Sequence, residues 1–231
     1  MKELDKKLIE AATAGDLPEI RSLIEQGADI HVDDGKPFVA AAEHGRLEVV
    51  KYLASQGAHI NTRSDLEDRR DRALLMASGN GYLETVKFLV SAGADIHFIG
   101  DCILRWAAGN GQLEVVKFLI DKGADIHASD LSGDALKKAA ENGHLKVVRY
   151  LVELGANIHA FDNRALLYAA DNGHIDVVEL LLENGAPIEV AKGHGTDAIK
   201  DFCKVFEIKQ MLDAKIQQSA PTKPKSARLK I

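Results

Sequence analysis

The chain has 231 residues, 46% hydrophobic and 28% charged but only 5% aromatic, so Ala, Leu, Val and Ile rather than large rings must fill its core. Its net charge of −6 is unevenly placed: Gln217 to Ile231 holds Lys223, Lys225, Arg228 and Lys230 and no acid, which leaves residues 1–216 at −10. That acidic body excludes nucleic acid as the expected partner, and no apolar run approaches the ~20 residues of a membrane span. Cys102 and Cys203 have neither metal nor disulfide spacing, and the first residues lack the apolar stretch of a signal peptide. A reducing, cytoplasmic setting is expected.

Residues 1–14 predict a first helix whose Lys2, Lys6 and Lys7 suit a solvated end. The helix stops at Gly15, and a second apolar stretch runs to Gly27, the start of a Gly-Ala-x-Ile phrase. The phrase returns at Gly57, Gly93, Gly123, Gly155 and Gly185, and twelve residues before each stands another glycine: Gly45, Gly81, Gly111, Gly143 and Gly173. Seven before this mid-repeat glycine is always a large apolar residue: Leu8, Phe38, Leu74, Leu104, Leu136 and Leu166. Four and three before it are small pairs, Ala41-Ala42, Ala77-Ser78, Ala107-Ala108, Ala139-Ala140 and Ala169-Ala170 among them. Offsets of three and four place these on one helical face, where alanine lets neighbouring helices approach closely. After the glycine comes a second helical stripe, such as Leu113, Val116, Leu119 and Ile120.

The spacing between phrases is 30 in most copies but 36 between Gly57 and Gly93, where residues 63–72 insert a charged stretch containing Arg69 and Arg70. Insertions in repeat arrays fall on loops of one face, often the binding face; a tolerated solvent loop is the alternative. A seventh, degenerate unit over Asp197–Ala214 keeps Ile199, Phe202, Ile208 and Leu212 but loses the glycines, as a terminal cap does. The expected organisation is a repeat domain over 1–216, six repeats plus this cap, followed by a basic, disordered tail over 217–231.

These residues resemble the ankyrin repeat over about residues 4–212. LRWAAGNGQLEVVKFLIDKGADIH, from Leu104 to His127, and LKKAAENGHLKVVRYLVELGANIH, from Leu136 to His159, are nearly that family's consensus. The resemblance implies an all-α ankyrin-repeat solenoid of stacked helix–turn–helix units. The family unit has ~33 residues, so most copies here lack about three at the hairpin, and the usual Thr-Pro-Leu-His start survives only as Pro37-Phe38. Short turns are expected in place of β-fingers. The clipped style is similar to ankyrin arrays of giant DNA viruses, a host–pathogen setting, with bacterial arrays as the alternative.

His31, His97, His127 and His159 share one position in four copies. Neighbouring repeats stand ~8–10 Å apart, whereas zinc requires ligands at ~2 Å, so one His per repeat cannot share a metal. The family has Asn there, which implies a turn-stabilising role. Gly79-Asn80-Gly81 and Gly109-Asn110-Gly111 lack the continuation of a phosphate loop, and Cys203 with His194 lacks a third group and an oxyanion pocket. No cofactor, metal or catalysis is expected. Glu48/Lys51, Glu84/Lys87 and Glu114/Lys117 read as solvated pairs worth only ~0.2–0.5 kcal/mol each.

Positions fixed in every copy serve the stack; those that differ face something individual, or water. Five before the mid-repeat glycine stand Glu10, Ala40, Met76, Trp106, Lys138 and Tyr168, with Trp106 expected in the core. Two and one before it stand Glu43-His44, Gly79-Asn80, Gly109-Asn110, Glu141-Asn142 and Asp171-Asn172. The resemblance implies that these pairs and the turn tips line a concave groove. The candidate partner-binding residues are therefore Glu43, His44, Asn80, Asn110, Glu141, Asn142, Asp171 and Asn172, with Asp33, Asp34, Phe98, Asp130, Leu131, Phe161 and Asp162 in the turns and Arg69 and Arg70 in the insertion. Phe98 and Phe161 are aromatic anchors or covers of repeat junctions. The expected function is non-catalytic binding of another protein, of basic or mixed surface, by a monomer. The alternatives are an inhibitor-type effector or immunity protein that blocks an enzyme and, more remotely, an enzyme on an ankyrin scaffold.

Overall fold

The structure, a computed structural model, describes residues 2–58, 72–128 and 134–219, excluding the side chains of 98–100 and 217–219. Among the described residues the chain is all helix, with no strand. Six units each supply a first and a second helix: α1 (Glu3–Ala14) and α2 (Leu17–Glu25), α3 (Val32–Glu43) and α4 (Leu47–Ser55), α5 (Arg72–Gly79) and α6 (Leu83–Ser91), α7 (Phe98–Gly109) and α8 (Leu113–Asp121), α9 (Ala135–Glu141) and α10 (Leu145–Glu153), α11 (Ala160–Asp171) and α12 (Ile175–Glu183). A short α13 (Ile188–His194) and a long α14 (Asp197–Ser219) follow. The helix α14 continues three residues past the expected start of the tail.

Both invariant glycines of a unit end a helix in the same way. Gly45 takes φ 64° and donates to the Ala42 carbonyl at 3.1 Å, while Arg46 donates to that of Ala41 at 2.8 Å. This crossed pair of bonds caps carbonyls that have no helical partner. The second helix repeats it: Gly123 donates to Ile120 at 2.9 Å and Ala124 to Leu119 at 3.0 Å. The alanine of Gly-Ala is thereby turned into the core, and Ala28, Ala58, Ala94, Ala124, Ala156 and Ala186 are all buried.

Where it is described, before α3, α7 and α11, the turn entering a first helix is short, as expected, and it contains left-handed backbone. Asp33, Asp34 and Gly35 have φ of 50°, 58° and 76°; Phe161, Asp162 and Asn163 have 51°, 57° and 62°; Asp101 has 57°. Asp, Asn and Gly tolerate this region, whereas Phe161 occupies it at a cost. Pro37 falls in the first regular turn after it, where its missing N–H has no helical bond to lose.

The histidines hold this turn. The backbone N–H of His31, His97, His127 and His159 donates to Oδ1 of the Asp or Asn two residues earlier, at 2.8–3.0 Å. His97 Nδ1 then donates to Asp101 Oδ1 at 3.0 Å and His159 Nδ1 to Asn163 Oδ1 at 2.8 Å, tying the two ends of the left-handed run. Among the described residues no three His, Cys, Asp or Glu side chains gather to hold a metal ion.

The alanine pairs of the first helices, from Ala41-Ala42 to Ala169-Ala170, are fully buried. First helices touch one another along the stack far more extensively than second helices do. Small side chains bring the first-helix row together and larger ones hold the second-helix row apart, and the exposed side of the closely spaced first helices is called the inner face. The candidate groove is this inner face.

Candidate functional site

Each first helix buries the positions seven, four and three before its mid-repeat glycine and turns its other side inward. Trp106 is therefore not in the core. It stands two residues after the buried Leu104, about 200° further round the helix, and is 48% exposed. Its ring lies over Gly79 of the preceding unit, where a Cβ would come within 2.1 Å of the indole Nε1. The absence of a side chain at Gly79 leaves the room that the indole occupies.

The candidate residues gather in adjoining clefts. Asp33, Asp34 and Glu43 line one of ≈ 200 Å³ with Lys36, Val39, Ala40 and Arg72. Asn110 and Asn142 line a larger, more apolar cleft of ≈ 530 Å³ with Trp106, Leu75, Cys102, Arg105 and Lys138. Glu141 and Asn172 border the next, beside His144 and His174. His44 and Asp171 are exposed on the same face, as are Phe161 and Asp162 at a turn tip, where the Arg164 guanidinium sits 5.7 Å from the Phe161 ring centre. Arg69, Arg70, Asp130, Leu131 and the 63–71 part of the insertion lie outside the described residues, as does the side chain of Phe98.

Several candidates already have work inside the stack. Asn80 Nδ2 donates to the Glu43 carbonyl at 2.8 Å, Asn142 to that of Gly109, and Asn172 to that of Glu141 at 3.0 Å. Asn110 instead donates to Trp106 O of its own helix at 2.8 Å, and Gln112 Nε2 reaches the Gly79 carbonyl at 3.1 Å. All of these amides but Asn110 bind one unit to the carbonyl end of the unit before, while remaining at the groove surface.

A second ladder escaped the sequence reading. The residue after each mid-repeat glycine lies across the glycine of the preceding unit: Arg46 over Gly15, Tyr82 over Gly45, Gln112 over Gly81, His144 over Gly111 and His174 over Gly143. Arg46 Nε donates to Thr13 O at 3.0 Å, His144 Nε2 to Gly109 O at 3.0 Å and His174 Nε2 to Glu141 O at 3.1 Å. Arg, Tyr, Gln and His share no chemical type, so variation at this position hides a structural role. The signal was the glycine, which has no room for a Cβ beneath the neighbour's side chain.

The inner face is also less acidic than its carboxylates alone imply. Lys36 Nζ is 3.2 Å from Asp33, and Lys137 and Lys138 are 2.9 and 3.3 Å from Glu141. Burial by itself would raise the Glu141 pKa; the two lysines outweigh it and hold the carboxyl below its ordinary range. Arg105 and Lys137 are almost completely buried beneath this surface. The face is therefore mixed in charge, with Trp106 at its centre. On the opposite side of the molecule Glu48–Lys51, Glu84–Lys87 and Glu114–Lys117 pair at 2.7–2.8 Å in solvent. Burial pushes the Cys203 thiol up, away from the reactive thiolate form.

Comparison with known proteins agrees with this geometry. The family described as ankyrin repeats (3 copies) matches residues 8–99, 64–130 and 104–192, and the chain belongs to that family. Sixty-one residues are 38% identical to the rat (Rattus norvegicus) ankyrin repeat and SAM domain-containing protein 6, covering 25% of this chain but only 7% of that relative. The crystal structure of the human ASB11 ankyrin repeat domain superposes with a TM-score of 0.74 at 22% identity, over 86% of this chain and 96% of the other. Ankyrin repeats are generally protein–protein interaction modules, typically without catalysis. Among the described residues no helix is long and apolar enough to cross a membrane.

Proposed function

We propose that this chain is a non-catalytic interaction module that binds another protein through the inner face of its first helices and the adjoining turn tips. The observation that carries this reading is Trp106: a large aromatic ring held half exposed on bare Gly79, in the most apolar cleft of the inner face. Exposed aromatic rings seated in shaped, partly apolar clefts are the usual anchors of protein interfaces. The acids Asp33, Asp34, Glu43 and Asp171 flank it, with Lys138 and Arg72 between them. A partner segment with one apolar anchor and basic groups on either side matches this arrangement.

The test starts with a partner captured from the source cell by affinity purification and identified by mass spectrometry. Trp106 is the chain's one tryptophan, so its emission reports directly on contact at the groove. Binding should shift that emission, and Trp106→Ala should weaken affinity by at least ~10-fold with the melting temperature unchanged. Reversing Glu43, Glu141 and Asp171 to Lys should slow association in a salt-dependent way, while reversing Glu48, Glu84 and Glu114 on the outer side should matter far less. An unshifted emission, or equal losses from the two triple variants, would put the partner elsewhere.

A further inference from the structure

The helix α14 has two apolar faces, and the stack uses one of them. Ile199, Cys203 and Phe206 are buried against the end of the array, with Phe202 partly buried beside them. Val205, Ile208 and Leu212 follow at intervals of three and four, on roughly the opposite side of the helix. With Met211 on the edge of that stripe, these four side chains are 54–64% exposed, and Ile216 extends the line. From Ile208 to Ile216 every residue is exposed, so this half of α14 stands clear of the repeats. A solvent-exposed helical segment of this size is marginal in water, and four large apolar side chains in one line add a further cost.

We propose that this stripe is a self-association surface, covered by α14 of a second copy of the chain in antiparallel orientation. The sequence of the stripe is self-complementary about a point near Gln210 and Met211. Turned about that point, Val205 meets Ile216 of the second copy, Ile208 meets its Leu212, and Met211 lies close to the axis. On one flank of the stripe Lys209 faces Asp213 of the second copy, and each such contact occurs twice, as a two-fold interface requires; on the other flank Lys204, already paired with Asp201 at 2.8 Å, lies near Lys215 of the second copy. A parallel pair would instead set Lys204 against Lys209 of the second copy, a like-charge contact made twice. Covering both stripes buries on the order of 1,000 Å², the lower end of specific interfaces, so a reversible dimer with a dissociation constant of about 10–100 µM is expected. This replaces the monomer expected from the sequence and leaves the groove open on both copies.

The test is sedimentation of the full chain across that concentration range, together with two kinds of variant. Ile208→Lys with Leu212→Lys should yield a monomer with unchanged helical circular dichroism and melting of the repeats, because both positions lie outside the stack. Lys209→Asp and Asp213→Lys should each weaken self-association, by placing like charges opposite one another. An equimolar mixture of these two single variants should associate several-fold more tightly than either alone, since the two aspartates of one variant then face the two lysines of the other. The like charges within each helix are unchanged by mixing, so the recovery reads only the contact between copies. A monomeric parent at ~100 µM would overturn the proposal, whether residues 220–231, another protein or anionic vesicles then cover the stripe. Dimerisation that survives the double-lysine variant would overturn it too, and a mixture no tighter than its components would reject the antiparallel register.

Discussion

Along the second helices of three successive units the surface is the same: LEVVKYL, LETVKFL and LEVVKFL each place a Glu–Lys pair at 2.7–2.8 Å in solvent. Along the first helices one inward position reads Ala40, Met76, Trp106, Lys138 and Tyr168 in successive units. A surface that repeats itself cannot tell one segment of a partner from another; a surface that changes at each step can. The inner row gains this freedom because its alanine pairs already set the spacing of the stack, leaving the inward side of each helix unconstrained. The outer row carries solubility and the inner row carries individuality.

The largest expected contrast between the rows is in stability. Ala140→Arg forces a long charged side chain into a fully buried first-helix contact and should cost about 4 kcal/mol or unfold the array. Glu114→Arg, on the outer row, should stay within about 0.5 kcal/mol. Thermal melts of the two variants check this, and equal melting temperatures would refute the assignment of helix faces.

The two glycines of a unit give the next contrast. Gly111 has φ 74°, and a Cβ there meets the His144 ring at 2.6 Å; Gly123 has φ 102° and open space around it. Gly123→Ala should cost about 1 kcal/mol from backbone strain, and Gly111→Ala about 2–3 kcal/mol because the ring must also move. In a His144→Ala background the two costs should converge. If they stay apart in urea titrations, the ladder across the mid-repeat glycines does not contribute.

Ser78 sharpens the comparison from the opposite direction. It occupies the position filled by alanine in the other units, and its hydroxyl is fully buried with no hydrogen-bond partner among the described residues. Ser78→Ala should stabilise the array by about 1 kcal/mol, read as a higher denaturation midpoint. The smallest effect concerns Glu141. Its carboxyl titrates lower in the native state than when unfolded, so its contribution is present above the ordinary glutamate range and fades as pH falls through the lowered value. Glu141→Gln should flatten the acid limb of the stability curve by no more than about 0.5 kcal/mol, given its partial exposure.

The fold was legible from the amino-acid order because its determinants are local and repeated. Two glycines twelve apart, an apolar residue at seven and a small pair at four and three each enforce a helix end or a helix face within a few residues of themselves. The histidine turn was legible for the same reason, since its bonds span two and four residues. Contacts between units were not. Trp106 reads as core by composition, and only the apposition of α7 against Gly79 of α5 places its ring on the inner surface. Arg46, Tyr82, Gln112 and His144 vary as partner-facing residues would, yet each reaches across about thirty positions to a neighbouring unit's glycine. Glu141 reads as a free acid until Lys137 and Lys138 are seen beside it on the same helix, their side chains turned to the one carboxylate. Local periodicity determines what a unit is; what its side chains touch is decided by stacking, because a helix face has no neighbours until the next unit supplies them.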